Sequence, residues 1–321
     1  MLPEIDELTG EPIAVYGERT EGTMEIGVRG EPISIAFKEC RPEPDDVKAG
    51  EDASELPGGI DTVVCVHSVL ANSHMFREVL PSLAKEGIRA VAVDLPGHGA
   101  SSRPSGTVGF DYSEEAYIEA MEETMKALNA GGPSTMLITG GFVLGQYAML
   151  FAARNPDIVS KLTVTNTPLV ARGLPEPLGA YKNPFLKNFL TKAVDAGNYV
   201  MMGGPYLMSA DDLERFREPF NGDDAAACVK SMLDAYDPKK VAQSVDDAFC
   251  GWRNETLIAW GGNDRYIEDS SLLYQWLETK RTNIRAHTFL GKVGHFPSED
   301  YPELLVETIL KWLKGELRAS A

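Results

Sequence analysis

From residue 62 onward, short and continuously apolar runs alternate with stretches of helical period, and this restricts the fold more than any other feature. Residues 62–69 (TVVCVHSV), 89–94 (RAVAVD), 136–142 (MLITGGF) and 161–169 (KLTVTNTPL) are such runs. They suit strands buried on both faces of a parallel sheet. Between them, residues 76–87 have helical spacing and close on Gly87. Residues 114–130 follow Ser113 as a cap and carry Glu114 and Glu115 at the positive end, and 144–156 form another helical stretch. Later, 256–264 (TLIAWGGND) and 285–291 (RAHTFLG) resume the strands, with a helix expected over 269–279. An amphipathic helix from residue 301 closes the chain, with Leu304, Leu305, Ile309, Trp312 and Leu313 on one face. Strand–helix alternation gives an α/β protein with a mostly parallel, doubly wound sheet.

Two segments depart from that rhythm. Residues 12–40 read as β-rich, with MEIGVRG and ISIAFKEC alternating apolar and polar around a turn at Arg29, Gly30, Glu31 and Pro32. The acidic, Pro- and Gly-rich stretch 41–59 reads as a surface loop. Residues 170–250 carry helical patterns only, among them NPFLKNFLTKAV, DDLERFREPF and AAACVKSMLDAY. An insertion of that size between two strands predicts a helical cap over the C-terminal edge of the sheet, where open α/β sheets bind ligands. The expected organisation is therefore 1–60 as a β-rich lead-in, 61–170 and 251–321 as two parts of one core, and 171–250 as the cap.

Acidic residues outnumber basic ones by 48 to 30, for a net charge of −18. Such a surface repels phosphate backbones and anionic lipid, so neither nucleic acid nor a membrane is an expected partner. No run approaches the roughly 18–20 apolar residues that span a bilayer. The acidic opening MLPEIDELTGEP lacks the basic and apolar regions of a signal peptide. A cytosolic protein, or one relieved of a targeting segment, is expected. Cys40, Cys65, Cys228 and Cys250 form no CxxC pair and no zinc spacing, which makes them core thiols of a reducing compartment. No metal or cofactor is expected.

The chemistry concentrates in three places. Gly141-Phe142-Val143-Leu144-Gly145 has the spacing of a G-x-S-x-G strand-to-helix turn. Its central residue is a valine, with no lone pair and no ionisable proton, so it cannot attack a carbonyl or an alkyl halide. A β-branched residue is also costly at the positive φ such a turn demands. Asp264 follows the strand in WGGNDRYI, and His295 follows the last strand in GKVGHFPSED. Turn, acid and histidine thus keep the chain order of a nucleophile–acid–base site, and Asp264 can hold the imidazole of His295 toward it. His67-Ser68-Val69 follows the first buried strand, where Ser68 stands in a position usually held by glycine. Val69 and Leu144 are the expected oxyanion-type N–H donors. Ser68 is a conceivable substitute nucleophile, but its hydroxyl is expected to bond local backbone. His98, in Pro96-Gly97-His98-Gly99, reads as a turn residue rather than a metal ligand, and His74 and His287 receive no role.

These segments together resemble the α/β-hydrolase superfamily, in particular the branch near haloalkane dehalogenases. VVCVHSVLANSHMFREVLPSLA and VAVDLPGHGASSRP are similar to its first loop and next turn, and WGGNDRYI and GHFPSEDYPE to its acid and histidine segments. More narrowly, GGFVLGQYAMLFAARNPDIVSKLTVTNTPL resembles a plant and algal group with plastid addresses, which implies a plastid setting. The resemblance implies an α/β-hydrolase fold with an inserted cap. Dehalogenases and epoxide hydrolases need an aspartate at Val143, dehalogenases also a tryptophan at Leu144, and esterases a serine at Val143.

The leading expectation is a non-catalytic protein holding a small apolar molecule or joining a protein complex, with Ser68, Phe142, Val143 and Phe296 against the ligand. The Met-rich stretch NYVMMGGPYLM would contribute to the apolar lining. The alternative is an enzyme that uses His295 and Asp264 as a general base without a covalent nucleophile, in lyase or cofactor-free oxygenase chemistry, or a hydrolase in the sense of its family.

Overall fold

The computed structural model describes residues 18–43, 56–105, 109–171, 173–176, 178–182, 195–267, 276 and 283–317. Eight strands form one sheet: β1 (Glu18–Val28), β2 (Glu31–Arg41), β3 (Thr62–Val66), β4 (Arg89–Val93), β5 (Gly132–Gly140), β6 (Val159–Thr165), β7 (Glu255–Gly261) and β8 (Ile284–Phe289). Their spatial order is β1-β2-β4-β3-β5-β6-β7-β8. β1 pairs antiparallel with β2, and β2 with β4, while every later pairing is parallel. β3 is buried along its whole length, as its unbroken apolar run requires.

The β1–β2 turn is tighter than the sequence pattern predicts. Arg29 and Gly30, at φ 50° and 82°, reverse the chain alone. Glu31 and Pro32 already pair with Val28 and Gly27. Proline is tolerated there because β4 pairs only with residues 37–40 of β2, so no ladder bond on that side is lost.

Helices α1 (Val79–Ala84), α2 (Glu114–Ala127) and α3 (Leu144–Arg154) follow β3, β4 and β5. Ser113 caps α2, its Oγ accepting the N–H of Ala116 at 3.3 Å. α3 is buried at every position from Leu144 to Ala152. Between β6 and β7, the described elements are helical: α4 (Gly179–Lys182), α5 (Ala196–Met202), α6 (Ala210–Arg217), α7 (Asp223–Ala235) and α8 (Pro238–Gly251). α9 (Pro297–Asp300) and α10 (Pro302–Leu313) follow β8. Leu305, Ile309, Trp312 and Leu313 of α10 are buried and Leu304 is half-buried. The helices expected over 183–194 and 269–279, apart from Trp276, and loop residues 44–55 lie outside the described residues.

Cys40, Cys65 and Cys228 are core thiols as expected, but Cys250 is exposed near the end of α8. Its place on that helix faces away from the buried stripe of Val241, Val245 and Phe249. No helix among the described residues is long and apolar enough to cross a membrane.

Sheet register sets the site. Val66 of β3 pairs with Thr139 of β5, so Ser68 and Gly141, each two residues further, leave the sheet side by side. Thr165 of β6 lies between Gly140 and Ala259, which places Asn166 beside the ends of β5 and β7. Ser68, Val143, Asn166, Asp264 and His295 therefore all follow C-terminal ends of parallel strands.

Candidate active site

His295 and Asp264 meet as their chain order predicts. The imidazole Nδ1 donates to Asp264 Oδ2 at 2.8 Å, and both groups are buried. A carboxylate can only accept, so Nδ1 is the donor and Nε2 is left facing the interior. Asp264 is heavily tethered. Oδ1 accepts the N–H groups of Tyr266 and Ile267 at 2.7 and 2.9 Å, and Oδ2 also accepts Asn166 Nδ2 at 2.8 Å. Burial alone would raise its pKa, but His295, Ile267 and Asn166 together hold it below the usual value.

Asn166 went unnoticed in the sequence. Its side chain donates to the Gly261 carbonyl at 3.0 Å and accepts the Gly261 N–H at 2.7 Å. The acid is thereby fastened to the ends of β6 and β7 rather than left on its loop. The available signal was a buried amide ending the apolar run TVTNTPL, at the same sheet edge as the other site residues.

Val143 adopts φ 62° and ψ −79° at the start of α3, and no part of it reaches solvent. These angles close a γ-turn of the rare positive-φ kind, costing on the order of 1–3 kcal/mol for a non-glycine residue. The expected strain is present and is held by packing. The turn also corrects the expected oxyanion site. The N–H of Leu144 donates to the Phe142 carbonyl at 2.8 Å, and the N–H of Val69 donates to the same oxygen at 3.3 Å. The two amides do converge, but on a peptide oxygen of the turn itself.

Ser68 departs from expectation as well. Its carbonyl accepts His67 Nδ1–H at 2.8 Å and the N–H of Ala71 at 3.1 Å, but its hydroxyl makes no bond to local backbone. The reason is direction. Gly141, at φ 78°, has no Cβ, and Ser68 Oγ lies 2.2 Å from where one would stand. His295 Nε2 lies 3.6 Å from that same point. Both atoms, and the buried Tyr199 hydroxyl, lack a formed hydrogen bond. Burial lifts the Tyr199 pKa far above the ordinary phenol value, and Ser68 is close enough to pull against that rise.

Aromatic rings wall the imidazole. Phe142, Tyr266 and Phe296 lie 5.3, 5.2 and 4.6 Å from it, centroid to centroid, and Tyr199 stacks on Tyr266 at 5.1 Å. The carbonyl of Gly203, just after α5, accepts the His295 N–H at 2.9 Å. From the Met-rich stretch Tyr199, Val200, Gly203 and Gly204 are buried, while Met202 and Leu207 are exposed. Tyr199 and Gly203, four residues apart, share the inward face at the end of α5.

Of the other histidines, His98 packs its ring on His67 at 4.8 Å and on Phe220 at 5.7 Å inside the turn. His74, given no role from sequence, donates to Asp212 at 2.7 Å and ties the β3 loop to α6.

A family model for the α/β-hydrolase fold matches residues 61–302. The chain belongs to the α/β-hydrolase superfamily. Within it, this α/β-hydrolase is 21% identical to a haloalkane dehalogenase of Psychrobacter cryohalolentis over 275 residues, 82% of this chain and 87% of that protein. It is 32% identical to an esterase of Mycobacterium tuberculosis over 164 residues, covering 50% of this chain and 48% of the esterase. A solved haloalkane dehalogenase from Bradyrhizobium elkani superposes with a TM-score of 0.73 at 16% identity, covering 93% of this chain and 99% of that one. The likeness to the solved α/β-hydrolases extends to the fold, and the chain is haloalkane-dehalogenase-like in that sense.

Proposed function

We propose that this α/β-hydrolase acts by general-base catalysis at His295 on a small, mostly apolar molecule, with no covalent step at position 143. The observation that carries the reading is the lone Nε2. Leaving a buried polar atom unpaired costs about 1–3 kcal/mol, and a protein that only holds a ligand has no use for a clamped base aimed at its interior. Asp264 fixes the tautomer and steadies the imidazolium that forms when a proton arrives. Phe142, Val143, Leu144 and Phe296 supply the apolar wall. Because these residues are buried, entry requires an element to move. Among the described residues, α5 is one such element, its following Gly203 resting against His295 and Phe296.

The test uses p-nitrophenyl acetate and butyrate as probes, with wild type, His295→Ala and Asp264→Asn compared. General-base catalysis contributes about 10²–10⁴-fold, so His295→Ala should lose most of the enzyme-dependent rate. Equal rates in all three proteins refute the reading. The second reading, a non-catalytic holder of a small apolar ligand, draws support from the Phe142 carbonyl, which engages both amides that an anion would need.

A further inference from the structure

Three buried polar atoms lack formed hydrogen bonds, Ser68 Oγ, Tyr199 Oη and His295 Nε2, and Ser68 lies close to both of the others. Such groups are rare in a folded interior, and each calls for an explanation. The Ser68 backbone is fixed by two bonds to its carbonyl, so the hydroxyl cannot drift to another partner without rotating about its own side-chain bond. The missing Cβ of Gly141 gives it room, on the side of the turn that faces the imidazole. Ser68 Oγ and His295 Nε2 are no more than about 6 Å apart, since both lie close to that single point. Rotation of the serine about its own side-chain bond is the movement that closes this gap, since the ring is held by Asp264.

We propose that Ser68 is the hydroxyl His295 deprotonates, and that it attacks small carboxylic esters with apolar acyl groups. The inference rests on the general-base reading above and names the proton that base takes. The nucleophile has moved from the end of β5 to the end of β3, the neighbouring strand. As Ser68 Oγ bonds to the acyl carbon, its proton passes to His295 Nε2 and the carbonyl π pair moves onto oxygen. The amides of Val69 and Leu144 are held by the Phe142 carbonyl, so the Tyr199 hydroxyl is the donor that meets this oxyanion. Collapse breaks the bond to the alcohol oxygen, which leaves with the proton from His295. In the second half a water gives its proton to His295 and its oxygen to the acyl carbon. Ser68 departs and recovers the proton, and the net change is ester plus water to acid plus alcohol.

The experiment treats the full-length protein with a fluorophosphonate and, separately, with p-nitrophenyl butyrate. Wild type should be labelled on the peptide carrying Ser68. Ser68→Ala should lose the label and at least 10²-fold in kcat, and Tyr199→Phe should lose kcat with little change in KM. Ser68→Cys serves as the control for folding. Its thiol should be alkylated by iodoacetamide at neutral pH, and adding His295→Ala should slow that reaction at least tenfold. If Ser68→Ala hydrolyses as fast as wild type while His295→Ala does not, Ser68 is not the nucleophile and the base reading stands. Equal hydrolysis by wild type, Ser68→Ala and His295→Ala overturns both. Wild type without label, or alkylation indifferent to His295, overturns the role of Ser68.

Discussion

Val143→Ala should destabilise the protein less than the same truncation elsewhere in the core. Val143 is fully buried, so removing two methyl groups costs about 2 kcal/mol in lost transfer energy and cavity. Its φ of 62° works in the other direction. A non-glycine residue held there stores on the order of 1–3 kcal/mol, and alanine, lacking the γ-methyls, recovers roughly 1 kcal/mol of it. The net loss should be about 1 kcal/mol. Val64 is the internal reference, buried in β3 between Val91 and Leu137 with extended backbone. Val64→Ala has no strain to release and should cost about 2–3 kcal/mol. Urea unfolding of both variants, followed by tryptophan fluorescence, gives the comparison. If Val143→Ala costs as much as Val64→Ala or more, the turn is not strained and the argument from its geometry fails.

Two further outcomes follow from the same geometry. Val143→Ser should not by itself make an efficient esterase, because both amides that would hold an oxyanion already bond the Phe142 carbonyl. Turnover of p-nitrophenyl acetate should rise less than tenfold, and a rise above about 10²-fold would mean the turn opens at little cost. Asp300 gives a pH signature. Burial lifts its carboxyl to about 6, against the opposing pull of the Gly294 N–H and His295. Its protonated form favours the fold, so its contribution is whole below an unfolded value of about 4 and is lost as pH rises through 6. Asp300→Asn should therefore gain stability on wild type between pH 5 and 7 in urea unfolding. Parallel pH profiles would contradict this.

The sheet was legible because its strands are continuous apolar runs, and a run such as TVVCV can satisfy itself only between two helical layers. His295 and Asp264 were legible for a related reason, since polar residues placed just past such runs sit at the ligand edge of the sheet. The rest depended on angles and directions that residue types do not encode. Val69 and Leu144 were read as oxyanion donors, but the backbone of the turn directs both amides onto the Phe142 carbonyl. Tyr199 was hidden in a stretch read by its methionines, although the phenol is what reaches the site. Ser68 was assigned to local backbone, the usual fate of a serine in a loop. That assignment failed because a missing Cβ on a neighbouring strand opens a different direction.

The Phe142 carbonyl acts as a tethered competitor. A ligand carbonyl seeking the Val69 and Leu144 amides must displace a peptide group that cannot diffuse away, and groups held in place this way behave as if present at enormous concentration. Molecules that rely on backbone recognition are handicapped at this site. Selection should instead favour those whose shape matches the aromatic wall and whose one polar atom can reach a side-chain hydroxyl.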